Sequence, residues 1–169
     1  MSKAYWITGL SGAGKTTIGK LWYAELKKSG KAAVFLDGDT LRQVFGDDLG
    51  YTEADRRKSA MRNARLCALL AEQGIDVVCC TISMFDSVRA WNRLHIPGYV
   101  EVYVKASPET LRRRDQKGLY SSGQDVAGIH FSVEEPKRPD IVLENDGEKS
   151  PEEQIALLRQ QIEKGESLK

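Results

Sequence analysis

The stretch at residues 9–16, which reads GLSGAGKT, constrains the fold of this chain more than any other feature of the sequence. It matches G-x-x-x-x-G-K-[ST], a pattern whose glycines let backbone N–H groups turn towards phosphate oxygens. The apolar run Ala4–Thr8 precedes it, and residues 16–28 follow it with helical spacing of apolar side chains. Strand, glycine-rich loop and helix in that order predict a phosphate-binding P-loop at the positive end of the helix. The alternative is a tight turn that merely tolerates glycine.

The motif also predicts roles for its residues. Lys15 is expected to reach the β- and γ-phosphates of ATP, and the Thr16 hydroxyl is expected to bind Mg²⁺. The predicted nucleotide-binding residues are Gly9, Ser11, Gly12, Ala13, Gly14, Lys15, Thr16 and Thr17.

Apolar runs and helical patterns alternate along the rest of the chain. Strands are predicted at 32–36, 75–82, 100–104 and 141–143, and helices at 53–73, 108–115 and 150–164. This order predicts an α/β fold, a five-stranded parallel sheet with helices on both faces and a ligand at the carboxyl ends of the strands. Residues 1–169 are predicted to form a single P-loop kinase domain. A lid-like loop is predicted at about 117–133, where apolar periodicity is lost.

Composition excludes several classes of function. The net charge of +1 gives no basic excess, so a nucleic-acid partner is not expected. No apolar run has the length of a membrane span, and no leader pattern opens the chain, so no membrane association is expected. The cysteines, Cys67, Cys79 and Cys80, lack the spacing of a disulfide framework or a zinc site. Buried free thiols and a cytoplasmic location are expected.

Two aspartates follow the second predicted strand. Asp37 and Asp39 are predicted to lie at the carboxyl edge of the sheet, on the same side of an extended segment because one residue separates them. Asp37 is predicted to join the Mg²⁺ shell, and Asp39 to meet an acceptor hydroxyl as a catalytic residue. An Asp-Gly turn without function is the alternative.

A basic segment, Arg112, Arg113 and Arg114, ends the predicted helix at 108–115. Basic residues are favoured at a helix C-terminus by the helix dipole, which accounts for part of this run. Phosphoryl transfer also needs positive charge near the leaving phosphate. Arg114 is therefore predicted to be catalytic together with Lys15 and Asp39, and Lys117 is predicted to be functional.

Several further motifs resemble those of the adenylylsulfate kinase (APS kinase) family, which transfers the γ-phosphate of ATP to the 3′-hydroxyl of adenylyl sulfate. The resemblance spans about residues 3–145. It is carried by GLSGAGKTT at 9–17, LDGD at 36–39 with Arg42, DLGYTEADR at 48–56, IS at 82–83 and RDQKGLY at 114–120. The P-loop is shared by many kinases, whereas the combination of the other motifs is far more specific.

The resemblance implies an acceptor site. Asp39 and Arg42 engage the acceptor, Tyr51 lies near its nucleotide, and Arg56 and Arg62 meet its anionic end, although a spacing of six does not place these two arginines on one helix face. It also implies a nucleotide substrate and a possible homodimer. The implied acceptor-binding residues are Asp39, Arg42, Tyr51, Arg56, Arg62, Ile82, Ser83 and Lys117.

The departures from the family pattern all lie on the acceptor side. Thr40 and Ser59 stand where asparagines are usual, Met84 stands where a proline is usual, and the loop after Tyr120 is shorter. The stretch at 81–93 also looks similar to APS-kinase-like enzymes of capsule pathways, which phosphorylate the 3′-hydroxyl of cytidine diphosphoramidate.

Adenylyl sulfate is therefore the expected acceptor and cytidine diphosphoramidate the alternative. From other classes of protein, a nucleotide-dependent P-loop regulator and a catalytically inactive paralogue are further alternatives. The intact Lys15, Thr16 and Asp39 disfavour the inactive paralogue.

Overall fold

The computed structural model describes residues 1–115 and 133–169. Its strands form one parallel sheet in the order β2-β3-β1-β4-β5. This confirms the predicted α/β fold with a five-stranded parallel sheet. The strands are β1 (Ala4–Thr8), β2 (Ala33–Asp37), β3 (Asp76–Thr81), β4 (Tyr99–Lys105) and β5 (Ile141–Glu144). Apart from Val133, the lid-like loop predicted at about 117–133 lies outside the described residues.

Six helices connect or follow the strands within the described residues. The side-chain oxygens of Thr52, Ser107 and Ser150 each accept a hydrogen bond from the backbone N–H three residues later, so all three act as N-caps. The helices are α1 (Lys15–Lys28), α2 (Gly38–Val44), α3 (Glu53–Glu72), α4 (Asp86–His95), α5 (Pro108–Arg114) and α6 (Pro151–Ser167).

Helix α2 corrects the sequence-based prediction for the two aspartates. Asp37 is the last residue of β2 and the N-cap of α2, and its Oδ1 accepts a hydrogen bond from the Asp39 N–H at 3.2 Å. Asp39 therefore lies in the first turn of a helix, and the prediction that both carboxylates share one side of an extended segment is wrong. An aspartate side chain that accepts a hydrogen bond from the backbone N–H two residues later is common both in turns and at helix N-termini. The sequence alone therefore did not distinguish a turn from the start of a helix.

The side chains of β1 alternate between two apolar layers, one on each face of the sheet. Tyr5 and Ile7 are buried in the cluster that includes residues of α1 and α6. Ala4 and Trp6 are buried in the cluster that includes residues of α3 and α4. Because β1 is the central strand and both its faces are covered, the loop that follows it leaves the sheet at a fixed point.

Helix α1 lies close to the sheet at Gly19. A Cβ atom at this position would lie 2.2 Å from the Cys80 Sγ atom and 3.0 Å from the Phe35 ring. Overpacking of this kind costs about 1–3 kcal/mol, whereas the higher helix propensity of alanine returns at most about 1 kcal/mol. The absence of a side chain at Gly19 therefore allows the helix that carries the P-loop to contact the sheet.

We expect Gly19→Ala to lower the free energy of unfolding by about 1–2 kcal/mol, because the steric cost exceeds the gain in propensity. Urea unfolding followed by circular dichroism measures this change. Gly165→Ala is the matched control, since Gly165 also lies in a helix and no heavy atom of the described part of the chain lies within 4 Å of the added Cβ. Equal stability of the two variants contradicts the close packing of α1.

Candidate active site

The loop between β1 and α1 depends on the backbone freedom of glycine. Gly12 and Gly14 have φ angles of 82° and 104°, in the left-handed region that residues with a side chain rarely adopt. A Cβ on Gly14 would also lie 2.4 Å from the Asn145 Nδ2 atom. Helix α1 begins at Lys15, directly after this glycine, so its free N–H groups and positive dipole end face the loop.

Side chains from distant parts of the chain hold the loop in place. The Asn145 Nδ2 atom donates to the carbonyl of Ala13 at 2.8 Å, and an Arg114 N–H donates to the carbonyl of Gly12 at 3.4 Å. The Lys15 ammonium donates to the carbonyl of Leu10 at 2.8 Å, inside the loop itself. These contacts place the charges of Lys15 and Arg114 beside the same turn of backbone. Asn145, which follows the last strand directly, was not predicted from the sequence as a site residue.

A cleft of about 1180 Å³ opens from this loop along the carboxyl edge of the sheet. It brings together most of the residues that the sequence predicts for the site. Those that line the cleft are Ser11, Gly12, Gly14, Lys15, Thr16, Thr17, Asp37, Asp39, Arg42, Tyr51, Arg56, Ile82, Ser83 and Arg114.

Three predicted residues of the described part of the chain, Gly9, Ala13 and Arg62, are not in the lining. Gly9 and the buried Ala13 belong to the loop backbone, and Lys117 lies outside the described residues. Arg62 donates two hydrogen bonds to the Asp48 carboxylate, at 2.9 and 3.0 Å, and its guanidinium lies over the Phe45 ring. This pairing lowers the pKa of Asp48.

The exposed Tyr51 ring in the cleft lining is in contact with two guanidinium groups. The Arg42 and Arg56 guanidinium carbons lie 4.4 and 5.4 Å from the centroid of the Tyr51 ring. Arg42 donates to the carbonyls of Leu49 and Gly50, and the Arg56 Nε atom donates to the carbonyl of Tyr51 at 2.9 Å. These bonds fix the Arg–Tyr–Arg group, which offers a stacking surface beside positive charge.

The carboxyl end of β3 has an uncommon backbone conformation. Ser83 has a φ angle of 33°, in a region that non-glycine residues seldom occupy. Its hydroxyl lies 2.6 Å from the Thr81 hydroxyl, and the Thr8 hydroxyl donates to the carbonyl of Ile82. Backbone conformations of this kind persist where surrounding contacts hold them and are common at functional sites.

The charges of Lys15 and Asp37 both act on the buried thiol of Cys80. Burial raises the pKa of Cys80 to about 12, while the Lys15 ammonium opposes this rise and the Asp37 carboxylate adds to it. The protonated Sγ atom donates to the carbonyl of Lys15 at 3.3 Å. The buried thiol of β3 therefore contacts the first residue of α1, and both charges affect its pKa.

The candidate magnesium ligands are the Thr16 hydroxyl and the Asp37 carboxylate. Within residues 1–115 and 133–169, no group of three or more His, Cys, Asp or Glu side chains is arranged to hold a metal ion. Mg²⁺ in phosphoryl-transfer sites is typically held by one or two protein ligands together with water and substrate phosphates. Two hard oxygen donors lining one cleft fit that mode of binding.

Further lining residues were not singled out for a role by the sequence analysis. Helical spacing is the signal for those on α3, where Arg56, Ser59 and Asn63 lie at i, i+3 and i+7 and share one face. The additional lining residues include Ser59, Asn63, Met84, Phe85, Asn145, Gly147, Lys149 and Ser150.

Comparison with known proteins agrees with this geometry. Residues 1–144 match the family described as adenylylsulphate kinase. The chain belongs to the adenylylsulphate kinase family. It is thus a P-loop kinase, a phosphotransferase with an alcohol group as acceptor.

Relatives from this family cover nearly the whole chain. The cytidine diphosphoramidate kinase of Campylobacter jejuni is 36% identical over 158 residues, which are 90% of this chain and 92% of that protein. The adenylyl-sulfate kinase of Halothermothrix orenii is 38% identical over 165 residues, 95% of this chain and 89% of that protein.

A solved structure of the family gives the same picture. The APS kinase CysC of Mycobacterium tuberculosis, in complex with AMPPNP and APS, is similar with a TM-score of 0.87 and 34% identity. The similarity covers 96% of this chain and 98% of that one. Among the described helices, none is both long and apolar enough to cross a membrane.

Proposed function

We propose that the chain transfers the γ-phosphate of ATP to the 3′-hydroxyl of a small nucleotide with an anionic 5′ end, and that adenylyl sulfate is its first acceptor. One observation carries the proposal: a single cleft is lined by the P-loop with Lys15, by Asp39, and by Arg42, Tyr51 and Arg56. The P-loop suits the phosphates of ATP, and the Arg–Tyr–Arg group suits a base and an anion.

Each part of the cleft has a chemical role in this reaction. The charges of Lys15 and Arg114 stabilise the negative charge on the transferring phosphoryl group and the leaving diphosphate. Asp39 orients the acceptor hydroxyl and accepts its proton as the new P–O bond forms. Arg42 and Arg56 neutralise the 5′ end of the acceptor, and Thr16 with Asp37 would hold Mg²⁺, which screens the phosphate charges.

Cytidine diphosphoramidate is a second candidate acceptor. The residues after β3, where Met84 replaces the usual proline, lead into Phe85, which lines the cleft and lies under the Arg57 guanidinium at 4.4 Å from the ring centroid. This stretch is similar to that of the diphosphoramidate kinases, and one such enzyme is 36% identical to this chain. A nucleoside with a charged diphosphate-like end also suits the same two arginines.

A coupled assay of ADP release, run with each acceptor in parallel, tests the proposal. We expect ADP release to increase at least 10-fold over the ATP-only background with one of the two acceptors. A rate equal to the background with both supports the alternative that the chain is a P-loop regulator and overturns the kinase assignment to these acceptors.

We expect turnover to fall to background when EDTA exceeds the divalent metal concentration, because Thr16 and Asp37 contribute to phosphate chemistry through a metal ion. Excess MgCl₂ should restore the rate in the same sample, which controls for damage by the chelator. Undiminished ADP release in EDTA would refute the magnesium proposal.

The remaining parts of the proposal concern assembly and location. We propose that the chain works in the cytoplasm, and that it forms a homodimer as family resemblance implies. Sedimentation velocity measures the dimer directly, and a monomer at micromolar concentration contradicts it.

A further inference from the structure

One buried amide in the cleft wall has an oxygen atom without a partner. Asn63 is 2% exposed, and its Oδ1 atom has no hydrogen-bond partner among the described residues. A buried carbonyl oxygen without a partner is uncommon in folded proteins and is destabilising. Such an atom in the wall of a substrate cleft is suited to accept a hydrogen bond from a ligand.

Asn63 differs from the rest of the buried face of its helix. The other buried residues of α3 are small and apolar: Ala60, Ala64, Cys67, Ala68 and Ala71. The face packs against the central strands, where an apolar side chain would avoid the cost of the unpaired amide. An amide at this position is therefore better explained by recognition than by packing.

The position of Asn63 on α3 associates it with the acceptor part of the cleft. It lies one helical turn after Ser59 and two turns after Arg56, and all three line the cleft. Helix α3 packs on the sheet face opposite to α1, which carries the P-loop lysine. The amide therefore shares a helix face with Arg56, which contacts Tyr51, and its helix covers the sheet face opposite to α1.

We propose that Asn63 is a specificity-determining residue whose Oδ1 atom accepts a hydrogen bond from the exocyclic amino group of the acceptor nucleobase. This rests on the proposed function in that it requires a nucleotide acceptor in the cleft. Adenine and cytosine both carry an amino donor beside a ring nitrogen that accepts, and an asparagine amide offers the complementary acceptor and donor. One residue can therefore serve either candidate acceptor.

Binding of nucleotides that lack the amino group tests this without turnover. The protein is saturated with ADP and Mg²⁺ to fill the ATP side, and calorimetry then compares adenosine 5′-monophosphate with purine riboside 5′-monophosphate. Cytidine 5′-monophosphate is compared with its 2-pyrimidinone analogue in a second arm. We expect the amino-bearing member of at least one pair to bind about 10-fold more tightly, as one buried hydrogen bond predicts.

The Asn63→Leu variant removes the acceptor atom at similar volume. Its preference for the amino group should fall to within 2-fold, while its affinity for ADP stays within 3-fold of the parent. If the leucine variant does not bind ADP, the Asn63→Ala variant is used in its place, because alanine is the residue found at neighbouring buried positions of α3. Asn92→Leu is the matched control, because Asn92 is also buried and its Oδ1 atom has no partner in residues 1–115 and 133–169, but it is not among the residues that line the cleft. Its preference should equal that of the parent.

Two results overturn the inference: no amino preference in the parent protein, or a preference that survives in the Asn63 variants. Neither depends on catalysis, so the inference and the proposed function can fail separately. If binding prefers the amino-bearing nucleotides only when Asn63 is present, and neither acceptor is turned over, only the kinase assignment is wrong. If an acceptor is turned over and the preference for the amino group is the same in the Asn63 variants, only the role proposed for this amide is wrong.

Discussion

Lys15→Ala should lower kcat by about 10²–10³-fold, the scale on which one hydrogen-bonding contact to a transition state contributes. The Lys15 ammonium lies inside the P-loop, 2.8 Å from the carbonyl of Leu10, and it is next to the first turn of α1. Charge that develops on the transferring phosphoryl group and its leaving oxygen loses this partner in the variant. The loss should appear in kcat and in kcat/KM for both substrates, measured by coupled ADP release.

Lys20→Ala is the matched control for this prediction. Lys20 lies on the same helix and is exposed, outside the cleft lining. Its turnover should equal that of the parent, and thermal unfolding of both variants should stay within a few degrees of the parent. A Lys15→Ala variant that retains near-native turnover would falsify the P-loop assignment.

Asp39→Asn should lower kcat by about 10²–10⁴-fold and change the dissociation constant of ATP by less than about 3-fold, since general-base catalysis contributes on that scale. Asparagine keeps the shape of the side chain but cannot accept the proton of the acceptor hydroxyl. Asp39 is exposed in the cleft, in the first turn of α2. Loss of its charge at a helix N-terminus costs at most about 1 kcal/mol of stability, which leaves the fold intact.

Asp47→Asn controls for a general effect of removing a carboxylate from the cleft. Asp47 also lines the cleft, and its φ angle of 51° is one that asparagine adopts readily. The pair of variants should therefore differ by at least about 50-fold in kcat, with Asp47→Asn close to the parent. If Asp39→Asn stays within a few-fold of the parent, the residue is structural and its catalytic assignment is wrong.

The fold was largely predictable because local patterns agreed with the global arrangement. Apolar runs identified the strands to within about one residue at each end, and Thr52 and Ser107 marked helix starts that the structure confirms. Neither α2 nor α4 was assigned from the sequence. The seven residues of α2 carry too little periodicity, and Asp37 favours both a turn and an N-cap.

The sequence predicted which residues form the site better than it predicted the contacts between them. Its P-loop follows from eight consecutive residues, whereas the Asn145–Ala13 bond joins positions 132 residues apart and no local pattern indicates it. Family resemblance included Arg62 in the acceptor site, yet its spacing from Arg56 places it on another face of α3, where it pairs with Asp48. Asn63 was overlooked because its helical spacing from Arg56 and Ser59 does not reveal that it is buried, with an Oδ1 atom that has no partner among the described residues.

The central claim is that the cleft phosphorylates a nucleotide 3′-hydroxyl, and a 3′-deoxy acceptor tests it most directly. The acceptor that supports turnover is compared with its 3′-deoxy analogue in the ADP-release assay, and the nucleotide product is located by ³¹P NMR. We expect the analogue to act as a competitive inhibitor without stimulating ADP release, and the product of the full acceptor to carry its new phosphate on the 3′ oxygen. Equal ADP release with both acceptors, or a new phosphate at any other position, contradicts the account.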